Sequence, residues 1–467
     1  MIPKSAVPEV LWPAIPPAEG ALLLAVMHQL EESEWMPVDE VRELQLEALD
    51  RLFDHARASV PFYRQRAEYD VLDGREGLGA DDWSLLPILT RADVQEAGTA
   101  LHSENVPSIH HPLTHVVTSG ATGRPIRGIG TAVTTLFWRA ITLRDQLWHR
   151  RDVTARLCAI RDEETPPEGR ESAAWGPSTA SVYHSGPCGV SSVSHDVAVQ
   201  AAWLVEQNPE YVLTYPSNLM ALVQHLDVTG GRLPRVRQAC TYGEALSDDL
   251  RPLVRRVLGV DVVDIYSSNE LGYIALQCPK SEQYHVQSES AYVEVLDDHG
   301  HPCAPGEIGR VVVSALHNYG MPLLRYELGD YAEVGSPCSC GRGLPTLARV
   351  MGRQRNMWAL PGGRWIWPQF TWNDWGHIGD IRQMQLVQHE LDRVEARIVG
   401  PRPLTADEQA ELAAIMQRRF GYAFQVSFTF LDAIERTSTR KFEDFVSRVA
   451  QPGGASQSAE RQPASTR

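Results

Sequence analysis

At 467 residues, 43% apolar and 22% charged, the sequence has the size and balance of an ordinary globular protein of two or three domains. A formal net charge of -16 argues against general nucleic-acid binding, and no apolar run reaches the ~18 residues of a membrane-spanning helix. Seven cysteines, an odd number, do not make a disulfide framework in a chain this long, so a cytoplasmic location is expected and clustered thiols become metal candidates.

Residues 1–38 start proline-rich and hold one helix, whose apolar run at 21–27 lacks the basic flank and small-residue cleavage site of a signal peptide. From Asp39, apolar residues at Val41, Leu44, Ala48, Leu49, Leu52, Phe53 and Ala56 recur at three and four. That spacing predicts a helix capped by Asp39 and ended by Val60-Pro61. Residues 85–93 read as a turn into a short helix, and 134–148 as a longer one. Strands at 211–215, 236–241 and 260–266 alternate with helices at 219–226 and 246–258, which predicts α/β layers with parallel strands. Residues 291–334 then turn mostly to β. Beyond Gly352-Arg353, strands at 384–388 and 394–398 precede Thr405-Ala406-Asp407-Glu408, a capping box whose helix Gly421 closes. Phe424, Val426, Phe428 and Phe430 alternate as one more strand. The expected organisation is a large multi-layer domain over 1–353, a small α+β domain over 354–448 and a disordered tail over 449–467.

Several segments carry the chemistry. Thr118-Ser119-Gly120-Ala121-Thr122-Gly123-Arg124-Pro125 combines glycines, hydroxyls and a guanidinium, the ingredients of a phosphate cradle, and equally of a surface turn. It has neither Walker A nor Rossmann spacing. In Tyr266-Ser267-Ser268-Asn269-Glu270, after a strand, Tyr266 offers a face for a flat base and Glu270 an oxygen for a divalent cation; the alternative is a polar turn. Arg325-Tyr326-Glu327-Leu328-Gly329-Asp330 offers Asp330 to a ribose diol, or else a structural Arg–Asp pair. Lys441, in the basic stretch Arg436–Lys441, either delivers charge to a reacting carboxylate and phosphate or is merely solvated. Cys278, His285, Cys338 and Cys340 supply the three thiols and one imidazole of a closed structural zinc site, against a reading as reduced cysteines in turns.

Taken in order, these segments resemble the adenylate-forming superfamily of acyl-CoA synthetases and adenylation domains. Within it they are most similar to the phenylacetate–CoA ligase family near its capsular-polysaccharide-type branch, over about residues 34–445. The resemblance rests on Glu34-Trp35-Met36, Val60-Pro61-Phe62-Tyr63-Arg64 and Leu86-Pro87-Ile88-Leu89-Thr90-Arg91. It continues through the loop at 118–125, Tyr242-Gly243-Glu244-Ala245-Leu246, Tyr266 to Glu270, Arg325 to Asp330, Cys340-Gly341-Arg342, Gly352-Arg353 and Lys441. It implies an N-terminal adenylation domain with a mobile C-terminal lid. The chemistry would be ATP–Mg²⁺-dependent activation of a small carboxylic acid, possibly aromatic, with CoA as acceptor. An amine, hydroxyl or carrier-protein thiol is the alternative acceptor, and a non-catalytic nucleotide-binding scaffold the alternative class. Thr118, Ser119, Gly120, Thr122, Gly123 and Arg124 would hold phosphates, and Gly243, Glu244, Tyr266 and Asn269 the nucleotide base. Asp330 would take the ribose and Glu270 the Mg²⁺, with Arg353 at the hinge and Lys441 bridging carboxylate and α-phosphate. A homodimer is possible under the resemblance; nucleic-acid and membrane partners are not expected. Arg124, Ala121, Ser267 and Asn269 depart from the family's usual residues, as does Gln354-Arg355-Asn356 after the hinge.

Overall fold

The structure, a computed structural model, describes residues 3–117, 126–353, 357–361, 364–366, 368, 370, 372–434 and 444–449. The loop at 118–125, residues 354–356, Lys441 and residues 450–467 of the tail lie outside the described residues. The chain divides into two compact units, one running to Gly352 and one from Arg353 onward. Among the described residues no helix is long and apolar enough to cross a membrane.

In chain order the large unit holds β1 (Thr114–Val117), β2 (Arg127–Gly130), β3 (Leu157–Arg161), β4 (Arg170–Ser172), β5 (Cys188–Ser192), β6 (Tyr211–Thr214) and β7 (Gln238–Tyr242). Then come β8 (Asp261–Ser268), β9 (Gly272–Gln277), β10 (Tyr284–Val286), β11 (Ala291–Leu296), β12 (Ile308–Ala315), β13 (Tyr326–Val334) and β14 (Thr346–Arg353). Strands β1 and β2 make a separate antiparallel hairpin. The other twelve form one sheet in the order β11-β12-β13-β14-β10-β9-β8-β7-β6-β3-β5-β4. Strands β5, β3, β6, β7 and β8 are mutually parallel, as their helical crossovers at Val197–Gln207, Pro216–Thr229 and Leu250–Leu258 require. From β8 onward the sheet is antiparallel, a change made by the short turn into β9.

An N-terminal arm covers the antiparallel half. In the helix Val38–Ser59, Leu49, Leu52, Phe53 and Ala56 lie at helical spacing and enter the same core as Val311, Val313 and Tyr326. Pro37 occupies the N-cap position and Asp39 falls inside the first turn, so the expected cap is displaced by two residues. Gln45 donates to the carbonyls of Ser288 and Ala291, and Tyr63 to that of Pro322. Arg325, 3% exposed and left-handed at φ 48°, fastens the arm further. Its guanidinium donates to the carbonyls of Ser84 and Leu86 and forks onto Glu294 at 3.0 and 3.1 Å. The alternative of a structural Arg–Asp pair therefore does not form through Arg325: Glu294 on β11 takes the cation.

The small unit contains the hairpin β15 (Trp358–Leu360) and β16 (Arg364–Ile366), with β17 (Gln383–Glu390), β18 (Arg393–Val399), β19 (Gln425–Phe430) and β20 (Phe445–Ser447) in the sheet order β19-β18-β17-β20. The helix Ala406–Phe420 opens on the Thr405/Glu408 capping box and ends at Gly421 with φ 66°. Its Leu412, Ile415, Met416 and Phe420 close a core with Trp358, Leu386 and Ile398.

Candidate active site and a four-ligand knuckle

The carboxyl ends of β6, β7 and β8 lie side by side, where an open parallel sheet exposes backbone to ligands. At the end of β7, Gly243 takes φ 80°. The next residue, Glu244, accepts the Ser217 N–H at 3.0 Å, at the start of the helix Pro216–Thr229. Beside them the rings of Tyr215 and Tyr242 pack 4.9 Å apart.

Two irregularities in the sheet place Tyr266 and Asp330. The β8–β9 register slips between Tyr266, opposite Ala275, and Ser267, opposite Tyr273. The β12–β13 register slips so that Leu328–Gly329–Asp330 fall between pairs at Glu327 and Tyr331. Extra residues of this kind turn side chains out of the ladder, and they recur beside functional sites. Here Tyr266, 8% exposed, donates its hydroxyl to Asp330 Oδ2 at 3.0 Å.

Past the end of β8, Asn269 and Glu270 sit in the tight turn to Gly272, pinned by Leu271 N–H on Ser268 Oγ. The Glu270 side chain is 9% exposed and meets Arg91 at 3.3 Å. Arg91 stands in the first turn of the helix Arg91–Ala97, which Thr90 and Asp93 cap reciprocally. This cation, 179 positions from its carboxylate, carried no site role in the sequence reading.

Asn269 and Glu270 line one end of a cavity of about 230 Å³. Gly128, Ile129 and Gly130 of β2 form another wall, so the hairpin flanking residues 118–125 faces the same space. The helix Ala132–Trp148 contributes Phe137, Trp138 and Ile141, and the stretch 315–323 contributes His317, Asn318 and Met321. Trp138, 42% exposed, packs on Tyr273 with ring centres 4.3 Å apart. An acid pocket lined by the segment after 118–125, by Trp175–Val193 and by residues near Tyr242 and Tyr273 would fit the resemblance to the acyl-CoA synthetases. The first and Tyr273 line this cavity; 175–193 and Tyr242 do not. Residues 315–323 carry no motif, which is why they were missed.

Of the sequence-derived set, the structure brings together Tyr266 with Asp330, and Asn269 with Glu270. Gly243 and Glu244 stand on the adjoining strand end. Thr118, Ser119, Gly120, Thr122, Gly123, Arg124 and Lys441 lie outside the described residues, as does the Arg353 side chain.

Away from this site, Cys278, His285, Cys338 and Cys340 are all buried, with their ligand atoms within 4.8 Å of one another. The sulfurs of Cys278 and Cys338 are 3.7 Å apart, and Cys340 Sγ is 3.3 Å from His285 Nε2. Two thiolates at ~2.3 Å from one tetrahedral zinc stand ~3.8 Å apart, so the donor set and its spacing fit that ion. The surroundings fit as well. The N–H groups of Lys280 and Arg342 point at Cys278 and Cys340 sulfurs, and His285 Nδ1 meets the Leu344 carbonyl, leaving Nε2 as the ligand atom. Burial pushes the His285 imidazole down to about 4, in the direction of the neutral ring a metal requires. Arg342 ties this knuckle to the rest: it pairs with Glu34 at 3.1 Å and stacks over Trp148 at 4.2 Å.

Residues 371–448 match the family described as the CapK C-terminal domain. Over 348 residues, the chain is 26% identical to phenylacetate-coenzyme A ligase of Thermus thermophilus, covering 71% of this chain and 74% of that protein. Over 350 residues it is 24% identical to the enzyme of the same name from Aromatoleum evansii, covering 71% and 75%. In fold it is similar to 2-hydroxyisobutyryl-CoA ligase solved in the postadenylation state with 2-HIB-AMP. That match has a TM-score of 0.69 at 19% identity, over 87% of this chain and 90% of the other.

Proposed function

We infer that this chain, of the adenylate-forming superfamily and similar to the phenylacetate–CoA ligases, is an AMP-forming acid–CoA ligase. In the first half-reaction a carboxylate oxygen of the acid attacks the α-phosphorus of ATP, the bond to pyrophosphate breaks, and an acyl-adenylate forms. In the second, the CoA thiol attacks the acyl carbon and AMP leaves. The observation that carries this reading is the cavity lined both by the hairpin flanking 118–125 and by Asn269 and Glu270, which follow in the chain the Tyr266 whose hydroxyl holds Asp330.

The first half-reaction needs two anions, carboxylate and phosphate, brought together and their charge neutralised. We assign Ser119, Thr122 and Arg124, with the backbone of Thr118, Gly120 and Gly123, to the ATP phosphates. Gly243 and Glu244 border the adenine with Tyr266, and Asp330, held by the Tyr266 hydroxyl, takes the ribose. Glu270, which lines the cavity and pairs with Arg91, would hold Mg²⁺, a hard cation that would draw charge from the phosphate oxygens. Lys441 bridges carboxylate and α-phosphate, and residues 354–448 act as a lid with Arg353 near its pivot. The Cys/His knuckle would hold a structural zinc, and the acid is a small or aromatic one.

Acid-dependent pyrophosphate release from ATP–Mg²⁺, with and without CoA, tests this reading. Release with a thioester formed only when CoA is present is the expected result. Acid-dependent release without thioester would transfer the acyl group to an amine, hydroxyl or carrier-protein thiol instead. No release with any acid would sink the ligase and leave the scaffold alternative.

A further inference from the structure

The polar groups of the cavity divide sharply into those already committed and those not. Asn318 spends its amide N–H on the Ile129 carbonyl and its Oδ1 on the N–H groups of Gly320 and Met321. The Thr134 hydroxyl is exchanged with Thr131 in a helix cap. Asn269 and Glu270 stand at the end assigned to the nucleotide and metal. His317 is different. Its ring stacks on Phe137 with centres 4.0 Å apart and planes 20° from parallel, which fixes its orientation. Its Nε2 lies 2.7 Å from the Glu289 carbonyl oxygen, which can only accept, so Nε2 carries the proton. Burial holds its pKa below the ordinary imidazole value, which keeps the ring neutral. Nδ1 is then a bare acceptor on a cavity wall, and no donor among the described residues reaches it. The Thr135 hydroxyl, on the same lining, likewise meets no partner among the described residues. Around them the walls are carbon: Phe137, Trp138, Ile141, Met321 and Leu323.

Resting on the ligase reading above, we propose that the cavity selects a compact acid bearing a hydroxyl or amino donor on its carbon skeleton, and that His317 Nδ1 accepts from that donor as a specificity-determining group. The size agrees: an engineered apolar cavity of roughly 150 Å³ holds benzene, so about 230 Å³ takes one ring or its equivalent with a short substituent, not a long acyl chain. The chemistry agrees too. An apolar pocket barely separates a hydroxyl from a methyl of the same size, whereas a committed acceptor left bare by the methyl compound penalises it.

The test is ATP–pyrophosphate exchange with hydroxy-, amino- and methyl-substituted benzoates and phenylacetates, and with compact hydroxylated and methylated aliphatic acids. Within a matched pair, the donor-bearing acid is expected to have a kcat/KM about tenfold to a hundredfold higher, chiefly through KM. His317→Phe keeps a flat ring against Phe137 and removes the acceptor, so the hydroxy-to-methyl ratio should collapse toward one, with a Tm lowered by about a few degrees through the lost Glu289 hydrogen bond. Equal turnover of matched hydroxyl and methyl acids overturns the proposal while leaving the ligase intact, as does a His317→Phe variant that lowers every acid alike. Exchange with no acid overturns both.

Discussion

The Cys/His knuckle and the Asn269–Glu270 turn use the same kinds of atoms to opposite ends. In the knuckle every donor atom is buried and steadied by a neighbour: Lys280 and Arg342 N–H on two sulfurs, Ser281 beside the third, Leu344 behind the imidazole. Such a site is finished before any substrate arrives, and its energy goes into the fold. At the turn, one ion pair from Arg91 steadies Glu270, and Asn269 and Glu270 line a cavity. Groups held by the scaffold but aimed at empty space are suited to a ligand that comes and goes. The contrast separates residues whose loss should unfold the chain from residues whose loss should only silence it.

Substitutions can break this contrast in graded steps. The largest effect is expected from Lys441→Ala and Glu270→Gln: a fall of about a hundredfold to a thousandfold in pyrophosphate release, with an unchanged melting transition, measured by coupled assay and calorimetry. If Glu270→Gln melted early, the turn would be scaffold rather than site. Next comes Cys338→Ser, or stripping metal with a chelator. Zinc measured by atomic absorption should fall from one per chain to none, with a drop in Tm on the order of 10 °C. Intact stability without zinc would remove the knuckle from the structural class. Asp330→Asn should raise the KM for ATP about tenfold, and Tyr266→Phe by less, because it removes only the hydroxyl that orients Asp330.

The smallest effect concerns pH. Asp264, fully buried on β8, is pushed up to about 6 by burial, against hydrogen bonds from Thr241 and Tyr284. Its unfolded counterpart titrates near ~4, so the folded state holds this proton longer. The sign follows: the group contributes most to stability below about pH 4, and that contribution declines as pH rises through about 6. Asp264→Asn should flatten that part of the Tm-against-pH curve by a few degrees. An unchanged slope would assign the decline to other groups.

Local signals were legible in the sequence where chemistry is local. The Thr405 capping box, the alternation of strands and helices from 211 to 266, and the Cys/His donor set all appear where their spacing places them. Pairings across long sequence distances were not. Nothing near Arg325 says that Glu294, rather than Asp330, will take its charge, and nothing near Arg91 points to Glu270. The cavity suffered in the same way: its far wall, from Ala315 to Leu323, is set by how β12 and β13 are joined, not by any motif. Bulges at Tyr266 and Asp330 are equally invisible, because one extra residue in a ladder leaves the alternation of the strand almost unaltered.

The N-terminal arm also has a timetable. Arg325 is made 241 positions after Ser84, and Ser288 comes 243 after the Gln45 that binds it. A ribosome adding about 5–20 residues per second needs roughly 10–50 s to cover that distance. Throughout that interval Leu49, Leu52, Phe53 and Ala56 present an oily helix face with no sheet to cover it. The first-written part of the large unit is thus among the last to be sealed, and a chaperone meeting the nascent chain would find it there.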